Sequence, residues 1–201
     1  SQDISLILVE AGRAGFSKSK PLRKVGLHAQ DTTMLFFENV RVPKSNVLGG
    51  ETGQGFKQLM KELPWERLSI AISSIAGSEA VLASTLDYTR GRNVFGKPIF
   101  EFQNTRFKLA EYKVEVAVGR NYVDLCMGLC LEDELTPEAA AAAKMWCSNL
   151  YSKVVDECLQ LHGGNGYMLE YPVASHYLDS RVLRIAGGAN EIMKELVGRT
   201  L

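Results

Sequence analysis

The 201-residue sequence predicts an α+β chain, in which part of a β domain is followed by an antiparallel α-helical bundle. Two observations support this fold class. Up to residue 50, short runs of branched and aromatic residues alternate with Gly and Pro, whereas beyond it apolar residues recur every three or four positions. The glycine-rich stretch 49–55 separates the two patterns. We therefore place a domain boundary between residues 1–50 and 51–201.

The first region contains two predicted strands. Residues 4–9 form an apolar run, and residues 33–42 combine branched and aromatic side chains that favour extended backbone. Pro43 limits the second strand because proline has no N–H to donate to a neighbouring strand. Only three residues precede the first predicted strand, which suggests a cut through a domain, so we expect the sequence to be a piece of a longer chain.

The second region contains three long helical runs. Apolar residues share one face of the first run at Ile72, Ile75, Leu82 and Leu86, and of the second, from about residue 102 to 131, at Phe107, Ala110, Val114 and Ala117. The third run begins at Thr136 and Pro137, because Thr caps a helix and proline needs no N–H partner in the first turn. It ends at Gly163, a residue type that tolerates left-handed backbone.

Composition excludes several function classes. Lys and Arg total 23 and Asp and Glu total 23, so a net charge of zero gives no electrostatic basis for binding nucleic acid or an anionic membrane. No uncharged apolar run approaches the roughly eighteen residues of a membrane span. The cysteines at positions 126, 130, 147 and 158 lie in helical segments, and we interpret them as core residues of a reduced, intracellular protein rather than a redox pair or a metal site.

Three glycine-rich turns are candidates for ligand binding. Arg92 lies on a turn between two helical runs, where its guanidinium could hold a phosphate. Residues 160–167 and 187–191 form two further turns, whose backbone N–H groups could approach a ligand closely. Taken one at a time, a solvated arginine at a helix end and ordinary helix capping are the favoured explanations of these turns.

Taken together and in order, residues 36–43, 92–96 with Gln103, 160–167 and 184–192 resemble the acyl-CoA dehydrogenase family. The resemblance covers the whole chain, from the second half of the family's middle β domain through its C-terminal helical domain. It implies that the N-terminal helical domain and the first half of the β domain lie outside this sequence. It also implies FAD-dependent α,β-dehydrogenation of an acyl-CoA thioester to the trans-2-enoyl-CoA, a homotetramer, and electron transfer to electron-transferring flavoprotein.

The resemblance also points to the catalytic base. Most relatives carry it as the Glu of a Tyr-Glu-Gly-Thr stretch, and the matching position here is Gly187, which has no side chain. The long-chain and isovaleryl branches instead place the base in a Glu-Arg-Leu setting on an earlier helix, which matches Glu66. We expect Pro64 to lie in the first turn of that helix. We expect an apolar bound acyl chain and Trp65 to desolvate the Glu66 carboxylate and raise its pKa, and we regard Glu62 and Glu191 as weaker rivals.

The remaining site residues follow from the same resemblance. The Gly187 N–H, with Gly188 beside it, is expected to polarise the thioester carbonyl, and Arg67 to position the substrate. Asn190 and Glu191 are expected near the flavin of their own subunit. The residues expected to contact the FAD of a neighbouring subunit are Arg92, Gln103, Gln160, Leu161, His162, Gly163 and Gly164.

Alternative functions remain open. Gly187 leaves room for long or branched acyl groups, so a long-chain substrate is expected and an isovaleryl-type dehydrogenase is the first alternative. A non-catalytic helical relative that lost its base, or an acyl-CoA oxidase that passes electrons to oxygen, are the others. Glu66 favours the dehydrogenase over the non-catalytic relative. Bacterial cytoplasm and mitochondrial matrix predict the same residues.

Overall fold

The computed structural model describes residues 4–201, which divide into two compact units, one ending at Leu63 and the other comprising Pro64–Leu201. The division does not coincide with the boundary proposed near residue 50, which stays a prediction. The elements are β1 (Phe16–Lys18), β2 (Leu35–Phe37), α1 (Gly55–Gly91), β3 (Asn93–Val94), β4 (Lys97–Pro98), α2 (Gln103–Leu131), α3 (Pro137–His162), α4 (Pro172–Leu183) and α5 (Asn190–Gly198).

The β structure of the first unit is sparse. Strands β1 and β2 pair antiparallel, with Phe16 opposite Phe37, and the two rings lie 5.0 Å apart. The predicted strand at residues 33–42 therefore keeps only three residues, and the one predicted at 4–9 is reduced to a single bridge between Ile7 and Val47. Extended backbone is assigned as strand only where a second strand accepts its hydrogen bonds, and within residues 4–201 β2 pairs only with β1.

Helix α1 begins earlier than the sequence predicts. The expectation that Pro64 occupies its first turn is wrong, because the helix begins at Gly55 and Pro64 lies inside it. Proline has no N–H, so the carbonyl one turn earlier, at the exposed residue Met60, loses its helical partner. Glu66 consequently does not lie at the positive end of a helix dipole.

In the second unit, α1 from Pro64 onward forms the predicted bundle with α2 and α3, which confirms the fold class. The fully buried core residues include Leu68, Ala71 and Ile75 of α1, Val123 and Cys126 of α2, and Cys147, Val154 and Val155 of α3. By length and composition alone, α1 could cross a bilayer, the only helix among residues 4–201 of which this holds. Less than half of that apolar window is buried within the structure.

Helix α2 carries apolar residues on two faces, and the stripe noted in the sequence is not the one that is buried. The predicted stripe is solvent-exposed in this chain, with Phe107 56% and Val114 64% exposed, whereas Leu109, Val116 and Val123 are buried. Both stripes have helical periodicity, so spacing alone cannot tell which one packs against the neighbouring helices. We call the exposed set of Phe107, Val114, Val118 and Leu125 the outer stripe of α2.

Helix α3 follows its sequence signals closely. The Thr136 hydroxyl accepts a hydrogen bond from the Ala139 N–H at 3.1 Å, Pro137 opens the first turn, and Gly163 ends the helix at φ 59°. All four cysteines are free, and burial raises the pKa of Cys147 to about 12 and that of Cys158 to about 11. Thiols this reluctant to ionise act as packing residues, as predicted.

Candidate active site

The turn that joins α4 to α5 is built on two left-handed glycines. Gly187 has φ 65° and Gly188 has φ 103°, a region that residues with a Cβ atom seldom adopt. Space is also limited at both positions. A Cβ atom on Gly187 would lie 2.7 Å from Cδ1 of Ile70, and one on Gly188 would lie 2.9 Å from Cε of Met193.

Arg67 of α1 binds this turn directly. Its side chain is buried, and Nε donates a hydrogen bond to the Gly187 carbonyl at 3.2 Å. Burial lowers the pKa of the guanidinium, with the neighbouring Glu66 carboxylate acting in the opposite direction, but arginine stays protonated in proteins. A positive charge therefore lies beneath the Gly187 turn.

Glu66 lies one helical turn before Ile70, on the same side of α1. Residues four apart on a helix are neighbours on its surface, and Ile70 reaches the point where a Gly187 side chain would begin. The Glu66 backbone position therefore flanks the turn. Its side chain is exposed in this chain, as is Trp65 at 53%. Desolvation of the carboxylate by a bound acyl chain and Trp65 stays a prediction.

Asn190 and Glu191 open helix α5 and differ in environment. Asn190 is 3% exposed and its amide donates to Ser148 Oγ and to Asn149 Oδ1, both at 3.0 Å, so its side chain is committed to the protein interior. Glu191 is exposed in the first turn, where a carboxylate is favourable to the helix dipole. The N-cap residue, Ala189, makes no side-chain capping bond.

A second group of predicted residues surrounds the end of α1. Arg92 follows that helix, with its N–H bound to the Tyr88 carbonyl at 2.9 Å and its side chain exposed. Strands β3 and β4 then form a tight hairpin with positive φ at Phe95 and Gly96, which leaves the Phe95 ring 97% exposed. Gln103, the first residue of α2, is also exposed.

Tyr88 connects Arg92 with the glycine turn that follows α3. Its ring stacks on His162 at 4.1 Å, and its hydroxyl donates to the His162 carbonyl at 3.1 Å. The same hydroxyl accepts from Asn165 Nδ2 at 3.0 Å. His162 is buried by this packing, and burial lowers the pKa of its imidazole. Its side chain thus serves to fix the turn.

The surface of that glycine turn is open. Gly163 and Gly164 are exposed, and a Cβ atom built on either would meet nothing within 4 Å. Gln160 is exposed beside them and Leu161 is half-buried. Exposed backbone with free space above it, next to an exposed arginine, is a donor set suited to a phosphate-bearing ligand.

Sequence reasoning missed three residues that organise these two groups. Tyr88 gave no signal beyond its apolar spacing, and Phe95 was visible only as part of a turn. Lys144 was hidden in an alanine-rich helix, where lysine normally indicates a solvated face. It is instead fully buried, with Nζ donating to the Gly188 carbonyl at 2.7 Å and to Asn190 Oδ1 at 2.8 Å.

Comparison with known proteins decides the family. The family model described as "Acyl-CoA dehydrogenase, C-terminal domain" matches residues 53–201. The chain belongs to the acyl-CoA dehydrogenase family. The mitochondrial long-chain specific acyl-CoA dehydrogenase of Sus scrofa is 50% identical over 198 residues, which are 98% of this chain and 46% of that protein. A mitochondrial isovaleryl-CoA dehydrogenase of Oryza sativa subsp. japonica is 34% identical over 201 residues, 100% of this chain and 49% of that protein.

Solved acyl-CoA dehydrogenase structures share the fold. That of Geobacillus kaustophilus superposes with a TM-score of 0.94 at 42% identity, covering 98% of this chain and 51% of that one. That of Bacillus anthracis, described as complexed with FAD, superposes with a TM-score of 0.92 at 28% identity, covering 98% of this chain and 37% of that one. This acyl-CoA dehydrogenase chain spans about half the length of the curated relatives it matches.

Proposed function

We propose that this chain is the C-terminal part of an FAD-dependent acyl-CoA dehydrogenase that acts on long-chain acyl-CoA thioesters in fatty-acid β-oxidation. In this proposal Glu66 is the catalytic base. The observation that carries it is the contact of Ile70 with the empty Cβ position of Gly187. A helix residue four places before Ile70 flanks the same turn, so a carboxylate at position 66 can serve the site that a carboxylate at position 187 would serve.

The reaction divides into proton transfer and charge stabilisation by the protein, and hydride acceptance by the cofactor. The Glu66 carboxylate takes the α-proton of the thioester, and the C–H electron pair moves toward the Cα–Cβ bond. The Gly187 N–H donates to the thioester oxygen as negative charge develops there, in a turn that already has the Arg67 cation beneath it. FAD, which Arg92 and the open backbone at Gly163 and Gly164 would hold, would supply the acceptor for the β-hydrogen and its electron pair, so that the product would be the trans-2-enoyl-CoA.

The second group of residues fits the cofactor. Arg92 would pair with the pyrophosphate, and the open backbone at Gly163 and Gly164 has the space for a ligand to approach. Gln103 and Gln160 add exposed amide donors. Because these groups are all exposed in the chain, we propose that they serve the FAD of a neighbouring subunit.

The outer stripe of α2 supports an oligomer. Its four large apolar residues follow helical spacing and are each more than half exposed, and a stripe of this kind is typical of a surface covered by another protein. We propose a homotetramer, in which the FAD site is completed between subunits. Electron-transferring flavoprotein is the proposed electron acceptor, and the location is bacterial cytoplasm or mitochondrial matrix.

Similarity favours a long-chain substrate. The long-chain enzyme of Sus scrofa is 50% identical over the chain, whereas the isovaleryl enzyme of Oryza sativa subsp. japonica is 34% identical. Both types of substrate are compatible with Gly187, because no carboxylate side chain extends from that position of the turn. Chain length is therefore tested directly.

Glu66→Gln in the full-length protein tests the base. We expect palmitoyl-CoA to bleach the flavin band anaerobically in the wild type and in Glu62→Gln, a matched control on the same helix. We expect Glu66→Gln to keep its FAD and lose bleaching at least 100-fold, because the amide cannot accept the proton. Normal bleaching in Glu66→Gln would show that the base lies elsewhere. Stronger bleaching by isovaleryl-CoA than by palmitoyl-CoA would select the branched-chain function.

Arg92→Ala tests the cofactor group. We expect FAD affinity to fall by 10-fold or more, because a charge-assisted contact to phosphate is lost. Lys97→Ala on the neighbouring strand is the control for a general loss of positive charge. Equal FAD affinity in Arg92→Ala and the wild type would contradict the phosphate role.

A further inference from the structure

Lys144 is a charged side chain with no access to water. It lies on α3 with a relative exposure of 0%, and its ammonium donates to the Gly188 carbonyl and to Asn190 Oδ1. Buried ammonium groups are costly unless they are paired or hydrogen-bonded. Burial and the nearby Arg67 cation lower the pKa of Lys144 to about 8, and Glu191 partly opposes them. The chain therefore accepts an energetic penalty to keep a cation at this place.

The acceptors of Lys144 lie at the turn that faces the substrate. Two consecutive glycines with positive φ have more conformations open to them than any other residue pair, so such a turn needs external contacts to hold one geometry. Arg67 holds the Gly187 carbonyl and Lys144 holds the next carbonyl, at Gly188. Asn190 extends the second contact into the core through Ser148.

We propose that Lys144 is a positioning residue of the dehydrogenation site, which holds the Gly187–Gly188 turn in the conformation that presents the Gly187 N–H to the thioester oxygen. The inference rests on the proposed function. It assigns to Lys144 no contact with the substrate or the flavin. Its action is through the turn: a fixed N–H dipole stabilises the developing negative charge without first having to reorient.

The test compares Lys144→Met, which keeps the length and loses the donor, with Lys108→Met in the full-length holoenzyme. Lys108 is the control, because it lies on α2 and pairs with Glu157 of α3 and not with the turn. The first readout is amide hydrogen exchange of the peptide covering residues 184–192, which needs no substrate. We expect Lys144→Met to speed exchange there at least 10-fold and Lys108→Met to leave it unchanged.

The second readout is the carbonyl stretch of bound palmitoyl-CoA, which falls in frequency when the thioester oxygen accepts a hydrogen bond. We expect Lys144→Met to lose most of that shift and to reduce the flavin at least 10-fold more slowly, with FAD and palmitoyl-CoA affinities within about 2-fold of the wild type. Lys144→Arg, which keeps a charged donor, is expected to recover part of the shift. If Lys144→Met does not fold, Lys144→Gln takes its place in the same measurements.

The outcomes separate the two proposals. Unchanged exchange at residues 184–192 would overturn the role of Lys144 whatever the enzyme does. Faster exchange with an unchanged carbonyl stretch and reduction rate would also overturn it, as would a loss of cofactor or substrate binding as large as the loss of rate. If exchange is faster in Lys144→Met than in the wild type, but no acyl-CoA bleaches the flavin of the wild type, the proposed function is contradicted and the role of Lys144 in holding the turn is not.

Discussion

Gly187→Ala adds one methyl group to the turn between α4 and α5, and so tests how tightly the backbone and Ile70 restrict this position. Left-handed backbone costs a residue with a Cβ about 1–2 kcal/mol, and Gly187 has φ 65°. The new methyl would also lie 2.7 Å from Ile70 Cδ1, and overpacking of this kind costs about 1–3 kcal/mol. We therefore expect Gly187→Ala to lower the free energy of unfolding by about 2–5 kcal/mol.

Two further variants separate the backbone contribution from the contact. Gly96→Ala also places a Cβ at positive φ, 83°, with nothing within 4 Å of the new atom, so it is expected to cost only the backbone part, about 1–2 kcal/mol. Ile70→Val removes the Cδ1 atom, and in that background Gly187→Ala is expected to become cheaper by about 1 kcal/mol or more. Urea unfolding of the apoprotein measures the free energy of unfolding of the wild type, of each single variant and of the double variant.

Two results would refute this reasoning. Equal losses in Gly187→Ala and Gly96→Ala would mean that Ile70 does not limit the space beside the turn. Losses near zero in both would mean that neither glycine is held at positive φ. If the reasoning holds, moving the base with Gly187→Glu and Glu66→Gly is expected to recover more activity on shorter acyl chains when Ile70→Val is added.

Three other perturbations test the surroundings of the site. Thr136→Ala removes the cap of α3 and is expected to cost about 1 kcal/mol, measured by urea unfolding with Thr136→Ser as the control. Burial raises the pKa of Cys147 and Cys158 above their ordinary value near 9, so between pH 9 and about 11 only the unfolded chain loses these protons. The free energy of unfolding should therefore be level below pH 9 and then fall by about 1.4 kcal/mol per pH unit for each thiol. A variant with Ala at both positions should lack this slope. Tyr88→Phe keeps the stacking on His162 but loses the two hydrogen bonds of the hydroxyl, to the His162 carbonyl and from Asn165 Nδ2. FAD titration should show an affinity at least about 5-fold lower.

Local signals predicted the helical part of the fold well. The cap at Thr136, the proline after it and the glycine at 163 act within one turn of backbone, so the bounds of α3 followed from neighbouring residues alone. The start of α1 did not follow from local signals. Proline is favourable in the first turn of a helix and destabilising inside one, so Pro64 favoured a start nearby, but the helix begins at Gly55 with Pro64 in its interior. Local preference is a weak guide wherever tertiary contacts oppose it.

The sequence identified the residues proposed to act in the candidate site, but not the residues that hold them in place. Glu66, Arg67 and Gly187 could be identified by resemblance, and the Arg67–Gly187 hydrogen bond places two of them together. The residues that fix them could not be identified, because burial of Lys144 results from the path of α5 across α3 and leaves no trace in the spacing of the sequence. The same holds for α2, whose two apolar stripes differ only in what covers them.

The seclusion of Lys144 also has a chemical consequence. A thioester is an acylating agent, and an amine with a pKa of about 8 is substantially uncharged and nucleophilic under mildly alkaline conditions. An exposed lysine of this kind beside the proposed substrate would be a target for spontaneous acylation, which would abolish its charge. Because Lys144 has no exposed surface, its nitrogen can react only when the helices separate. The rate at which acyl-CoA labels Lys144 would therefore report how often this bundle opens.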